Sequence, residues 1–265
     1  VRSRGLGDVY KRQVQYPAGD GKIVDYVKFA ERLHARGIAL AVIADVMSLV
    51  MLKPPGNWGA DVVVGSTQRF GIPMGYGGPH AAYFSAKSEY RRFIPGRIIG
   101  VTIDRENRRA YRMALQTREQ HIKREKATSN ICTSQALLAI MAGMYAVYHG
   151  YEGLQSIARR IHTYAVTLSD MLTKLGYQQD NKVFFDTLRV PLPGYVPQDM
   201  IRSLALDHGI NFRYFNDRSV GISLDETTTI ADLNGIIEVF AQASGQDVRK
   251  IKDAFQSVQD ITRSD

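Results

Sequence analysis

"GADVVVGSTQRFGIPMGYGGPHAAYFSA" (residues 59–86) decides the fold. Its ends, ADVVVGS and HAAYFSA, have the length and the β-branched or aromatic make-up of buried strands, and a glycine- and proline-rich loop separates them. Upstream, "VDYVKFAERLHARG" (24–37) sets Val24, Val27, Phe29 or Ala30 and Leu33 at three- and four-residue steps and stops at Gly37. That pattern predicts an amphipathic helix with a glycine C-cap. "IALAVIAD" (38–45) follows as another buried strand, ending in Asp45. Helix alternating with apolar strand predicts an α/β domain on a parallel sheet, where ligands sit beyond the carboxyl ends of the strands. Asp45 and the 65–80 loop both fall at such ends.

Downstream, "IIGVTID" (98–104) and "AYRMALQ" (110–116) flank the polar turn "RENR", which predicts a hairpin, and the charged segment "TREQHIKREKATSN" (117–130) follows. "SQALLAIMAGMYAVYHG" (134–150) is apolar nearly all round, which predicts a helix buried on most faces that closes a large domain. From Tyr151, helical spacing of Leu154, Ile157, Ala158, Ile161, Ala165, Leu168 and Leu172 runs to Gly176. "VFFDTLRVPL" (183–192) then reads as a strand and "PQDMIRSLALDHG" (197–209) as a helix. "INFRYF" (210–215) and "SVGISL" (219–224) read as a strand pair, and "TIADLNGIIEVFAQAS" (229–244) as a last helix starting from a threonine cap. The expected organisation is a large α/β domain over 14–150 and a long helix with a small α+β domain over 151–244. A polar linker or truncated tail takes up 245–265. The first thirteen residues, "VRSRGLGDVYKRQ", show neither helical nor strand periodicity and read as a non-native segment like translated sequencing adaptor.

A chain of 265 residues, 45% of them hydrophobic, can bury a substantial core. No apolar run reaches the roughly 18 to 20 residues that cross a bilayer, and no signal-peptide core opens the chain, so a cytoplasmic or mitochondrial-matrix protein is expected. The single Cys132 excludes an internal disulfide and any multi-cysteine metal site, and reads as a small core residue. The formal charge of +8 is concentrated: residues 87–126 hold twelve Lys or Arg against five Asp or Glu. A basic surface of that kind suits an acidic protein partner. The absence of interleaved stacking aromatics speaks against nucleic acid.

Pyridoxal phosphate needs an acid to keep its pyridine nitrogen protonated, a lysine amine for an imine, and backbone amides or hydroxyls for its phosphate. Asp45 at a strand end and a loop residue beyond the next strand have the placement of the first two, but the loop residue is Arg69, which cannot form an imine. Simpler roles stand beside this one. An aspartate at a strand end commonly caps a turn, and Gly71, Gly75, Gly77 and Gly78 with Pro73 and Pro79 fit a tight turn that matches neither the dinucleotide nor the P-loop spacing. His80 reads as a structural histidine, and His121 has no second histidine at a metal-ligand spacing, so no metal is expected.

The stretch "GADVVVGSTQRFGIPMGYGGPHAAYFSAK" resembles the glycine decarboxylase P-protein family, together with "PGRIIGVTID", "YRMALQTREQHIKREKATSNICTSQALLA", "YAVYHG", "FFDTLRV", "INFRYF" and "GISLDET". The match runs in order over about residues 14 to 245. More closely, the chain is similar to the N-terminal half of the fused protein or the first subunit of the split form. In that family the imine lysine lies in the other half, in a His-Lys pair before a Pro-His-Gly-Gly-Gly-Gly-Pro loop. Here Gln68-Arg69 takes the place of the pair and Met74-Gly75-Tyr76-Gly77-Gly78-Pro79 that of the loop.

The resemblance implies part of a fold-type-I, aspartate-aminotransferase-like transferase fold. It implies a degenerate cofactor site at Asp45, Gln68, Gly77 and Gly78, with no catalytic residue in this half. The implied activity of the whole enzyme is pyridoxal-phosphate-dependent glycine decarboxylation with aminomethyl transfer to the lipoyl group of H-protein. The partners implied are a lysine-bearing second half, H-protein and glycine. Wall-forming candidates for the second half's site are Arg118, Glu119, Gln120, His121, Arg124, Lys126, Thr128, Ser129 and Asn130, with Arg118, His121, Arg124 and Asn130 foremost. Two alternatives remain open: an independent pyridoxal enzyme using Lys87, Lys123 or Lys126, and a non-catalytic binding module for an acidic partner.

Overall fold

A computed structural model describes residues 10–94, 98–115, 120–127 and 135–246. The chain opens with strand β1 (Lys11–Tyr16), helix α1 (Val27–His34), β2 (Ala39–Ala44), β3 (Val62–Ser66) and β4 (Ala82–Ala86). These strands form one sheet in the order β1-β2-β3-β4. The first three run parallel and β4 runs antiparallel to β3. Ala30 and Leu33 of α1 are buried with Leu40, Val42, Trp58 and Val63, the alternate inward positions of β2 and β3 and the indole from the turn between them. No helix among the described residues is long and apolar enough to cross a membrane.

Two expectations need correction in this sheet. Lys11–Gln13, set aside with the first thirteen residues, form the front half of β1 and pair in register with Ala39, Leu40 and Ala41. Their side chains are exposed, so no periodicity marks them; the pairing is made by backbone groups, which any residue but proline supplies. HAAYFSA, expected as a third buried strand of a parallel sheet, is antiparallel and mostly exposed. A parallel partner would need a crossover of a dozen or more residues, usually helical. Thr67–Ala81 holds only a short 3-10 turn at Gly75–Gly77 and doubles straight back.

Strands β5 (Ile98–Ile103) and β6 (Arg109–Leu115) form the expected hairpin as a separate sheet, followed by the short helix α2 (Gln120–Lys123). Ile99 pairs with Met113 and Val101 with Tyr111, and all four are exposed. Helix α3 (Ala136–Lys174) is one element where two were expected, bent at Gly150, whose φ of 60° and ψ of −171° are open essentially to glycine alone. Its first half is not buried: Leu137 is 69%, Val147 73% and Tyr148 85% exposed. The apolar composition there marks a surface that none of the described residues covers.

Past α3, β7 (Thr187–Pro191), α4 (Gln198–Asp207), β8 (Arg213–Tyr214), β9 (Ser219–Ser223) and α5 (Ile230–Ala243) build an antiparallel sheet, order β7-β9-β8, with its helices. Leu168 and Leu172 of α3 meet Leu188, Val190, Ile201, Val220, Ile222 and Phe240 in a dry core. Strand β7 is shorter than VFFDTLRVPL suggests, because Phe185 leaves the sheet to join Met47, Ala158 and Ile161 in a cluster between the two sheets. INFRYF narrows in the same way to Arg213–Tyr214. Asp186, between Phe185 and β7, is thereby brought to the carboxyl ends of β2 and β3.

Candidate functional site

Those carboxyl ends open on a cleft of about 680 Å³, lined from the first sheet by Asp45, Gln68, Arg69 and Met74 and from the second by Asp186, Asp225 and Glu226. Asp45 sits in a tight turn: its Oδ2 accepts from the Ser48 amide at 2.8 Å, and the Ser48 hydroxyl donates to the Asp45 carbonyl at 2.8 Å. The sequence allowed a capping role or a cofactor role for this residue, and the turn uses the first. Burial pushes the Asp45 pKa up and outweighs the attraction of Arg69.

Arg69 occupies the centre. Its Nη1 donates to Asp45 Oδ2 at 3.2 Å and to Asp186 Oδ2, while its guanidinium carbon stands 5.7 Å above the Phe185 ring. Burial opposes the charge, but Asp45 and Asp186 prevail and hold the Arg69 pKa above its ordinary value. Nη2 is buried without a partner. Asp186 is fixed by the Thr187 hydroxyl, which donates to its Oδ1 at 2.9 Å. Next to this bridge the Phe70 ring stacks on Tyr145 at 5.3 Å, and the Tyr145 hydroxyl donates to Glu226. Burial first and the Glu226 carboxylate second raise the Tyr145 pKa.

Below the cleft, β3 passes under Tyr83 at Gly65, where a Cβ would lie 2.1 Å from the Ala44 carbonyl oxygen and 2.5 Å from the tyrosine ring. Glycine is required by that close approach. The Tyr83 hydroxyl donates to the same Ala44 carbonyl at 2.9 Å, and burial, with Asp45 nearby, pushes its pKa up to about 12.

Asp45, Gln68 and Arg69 are thus brought together as expected, whereas Gly77 and Gly78 do not line the cleft. Their amides are engaged within the loop, Gly77 to the Met74 carbonyl at 3.1 Å and Gly78 to Gly75 at 2.9 Å, so neither is free to hold a phosphate. Arg124 is exposed in a 3-10 turn and lies outside the lining. Arg118, Asn130, Cys132 and the His121 side chain lie outside the described residues. Lys87 pairs with Asp61 at 2.5 Å, at the amino end of β3 and so across the sheet from the cleft. Among the described residues no lysine lines the cleft.

Asp186, Asp225, Glu226 and Tyr145 were not foreseen. Asp225 and Glu226 follow the run GISL, so the strand-end rule that singled out Asp45 would have flagged them; Asp186 lies inside the run VFFDTLRVPL and at the amino end of β7, where that rule does not reach.

Pyridoxal phosphate does not fit this cleft as it stands. Four carboxylates line it against one guanidinium, Asp45 is already paired, and the Gly77 and Gly78 amides are engaged within the loop. A phosphate dianion would be repelled there, and Arg69 supplies no amine.

Comparison with known proteins agrees with the layout of the strands. The family model described as glycine cleavage system P-protein matches residues 3–240. A curated glycine dehydrogenase (decarboxylating) of Bacteroides fragilis is 54% identical over 246 residues, 93% of this chain and 26% of that protein. One of Nostoc punctiforme is 56% identical over 233 residues, 88% of this chain and 24% of that protein. The chain therefore spans about a quarter of the length of these curated relatives.

Among solved structures, glycine decarboxylase (P-protein) of the glycine cleavage system in inhibitor-bound form superposes with a TM-score of 0.80 at 34% identity, over 88% of this chain and 55% of that one. A cysteine desulfurase of Thermococcus onnurineus, at 17% identity and TM-score 0.61 over 89% of this chain and 60% of that one, shares the fold alone. The architecture is part of the fold-type-I, aspartate-aminotransferase-like fold of pyridoxal-phosphate enzymes. With a family match over most of its length, this chain belongs to the glycine cleavage system P-protein family.

Proposed function

We propose that this chain is part of a glycine dehydrogenase (decarboxylating) and that it supports, rather than performs, the chemistry. The complete enzyme would use pyridoxal phosphate to decarboxylate glycine and pass the aminomethyl group to the lipoyl arm of H-protein. The observation that carries the reading is Arg69 at the imine position, bonded to both Asp45 and Asp186. The imine lysine then belongs to a second half, fused or separate. Two apolar surfaces support pairing with it: the stripe Leu137, Ile140, Met144, Val147, Tyr148 and Tyr151 on α3, and the Ile99–Met113, Val101–Tyr111 face of the hairpin. A two-stranded hairpin with an exposed apolar face is marginal alone.

In this reading the segment with Arg118, His121, Arg124 and Asn130 helps wall the second half's site, and the basic stretch 87–126 faces H-protein. The match to bacterial proteins favours the cytoplasm.

The test is to purify the chain alone and with a lysine-bearing half, add pyridoxal phosphate, and follow imine absorbance and glycine–bicarbonate exchange. Imine and exchange in the mixture alone are expected. A borohydride-reducible adduct on Lys87, Lys123 or Lys126 of the chain by itself would establish the independent pyridoxal enzyme instead.

A further inference from the structure

We propose that Arg69 is an internal strut, a positioning residue that bolts the glycine-rich loop to both sheets and in doing so closes this cleft to pyridoxal phosphate. The inference rests on distances within the chain and does not depend on pairing with a second half. Arg69 Nη1 joins groups 24 and 117 residues away in sequence: Asp45 at the carboxyl end of β2 and Asp186 at the head of β7. The guanidinium carbon stands 5.7 Å from the ring centre of Phe185, in the apolar cluster between the sheets.

The acidic groups facing Arg69 favour this arrangement. Asp45 comes from the first sheet, Asp186 from the second, and Asp225 and Glu226 from the turn after β9, while Arg160 of α3 donates to the Glu226 carbonyl at 2.9 Å. The guanidinium stays charged, and its Nη1 carries two hydrogens, one for each carboxylate. Side-chain exposures of 25% for Arg69, 25% for Asp45 and 11% for Asp186 shield the bridge from solvent.

Phe70 against Tyr145, and Tyr145 bonded to Glu226, fasten the following residue of the loop to α3 and to the second sheet. The loop is thereby held with Met74 and Tyr76 exposed and the Gly77 and Gly78 amides bonded to carbonyls of the loop itself. A cofactor would have to displace Arg69 from Asp45, find a cation for its phosphate among four carboxylates, and free the Gly77 and Gly78 amides from their bonds within the loop. The cleft therefore differs from a cofactor site by more than one missing amine.

Three measurements on the full chain test this. Pyridoxamine phosphate, which needs no lysine, is titrated into the wild-type chain by calorimetry; no saturable heat is expected. Saturable binding that Asp45→Asn abolishes would show a working cofactor site and overturn the proposal. Arg69→Lys is then treated with pyridoxal phosphate and borohydride and mapped by mass spectrometry. No adduct at residue 69 is expected, and a stoichiometric one would show that only the amine was lacking.

For the strut itself, urea unfolding of Arg69→Met, Asp186→Asn and the double variant is compared with wild type. The double variant's unfolding constant is expected about tenfold below the product of the two single effects, as for groups in direct contact. Simple additivity would remove the strut. Hydrogen exchange over 66–72 gives a second reading if a variant folds poorly: faster exchange in Arg69→Met is expected, and unchanged protection in the folded fraction counts against the role.

Discussion

Asp45 and Asp61 lie at opposite ends of neighbouring strands, and their environments push them in opposite directions. Burial raises both, but at Asp61 it is outweighed by the Lys87 ammonium, the Leu40 amide at 2.7 Å and His34 Nε2 at 2.9 Å, so the net shift is downward from 3.8. Asp45 has fewer compensating donors and its net shift is upward. The linkage to stability therefore has opposite signs. A lowered folded pKa makes Asp61 stabilising above 3.8, and that contribution disappears as pH falls through the lowered value. A raised folded pKa makes protonated Asp45 the favoured form, so its contribution is present below 3.8 and is lost as pH rises through the raised value.

Asp61→Asn should cost about 2 kcal/mol at neutral pH, with the cost shrinking in acid, since the buried Leu40 amide loses a charged acceptor. For Asp45→Asn, stability relative to wild type should climb as pH rises from 3.8. Urea unfolding over a pH series measures both; slopes of the same sign would show that the shifts are misassigned.

Among the elements, α5 owes its start to a reciprocal cap. The Thr229 hydroxyl accepts from the Asp232 amide at 3.3 Å and Asp232 Oδ2 accepts from the Thr229 amide at 2.7 Å. Thr229→Ala should lower stability by about 1 kcal/mol. In α3 the bend depends on Gly150, whose backbone region an alanine enters only with strain. Gly150→Ala should cost about 1 to 3 kcal/mol, or else straighten the helix and shift the Tyr145–Glu226 contact; thermal unfolding and the Tyr145 titration distinguish the two results.

Both features are local, and they differ in how far the sequence shows them. A threonine before an amphipathic run with an acid three residues on is a cap signal that any reader can apply. Gly150 ended one expected helix, whereas the structure carries α3 through it as a bend.

For the whole molecule, what the described residues leave uncovered is as telling as what they bury. Val147 and Tyr148 lie on the exposed stripe of α3, so replacing both with glutamate should leave the chain's own unfolding midpoint nearly unchanged and reduce assembly with a lysine-bearing half at least tenfold. Sedimentation of the mixture reports the second effect; assembly at wild-type strength would move the interface elsewhere. Arg105 is exposed on the hairpin turn, and docking of an acidic H-protein to the basic stretch should weaken as salt rises. Salt-independent association would remove the electrostatic part of the reading.

The sequence by itself determined where most elements lie and which residues of the first sheet, Asp45, Gln68 and Arg69, approach the cleft mouth. Periodicity placed α1, β2, β3, α4 and α5, because each buries one face against this same chain and short-range pattern records that burial, and the polar turn between two apolar runs placed the hairpin. It also put Asp45 and Arg69 at strand ends, and the match of whole motifs identified the family. Three matters were decided only by tertiary structure. The direction of β4 depends on what a fifteen-residue loop can span, the front of β1 on backbone pairing that leaves no mark on side chains, and the burial of residues 137–151 on whether another surface is present to meet them. The bridge from Arg69 to Asp186 belongs with these. Its two ends lie 117 residues apart, and only the packing of Phe185 between the sheets brings the second carboxylate to the guanidinium.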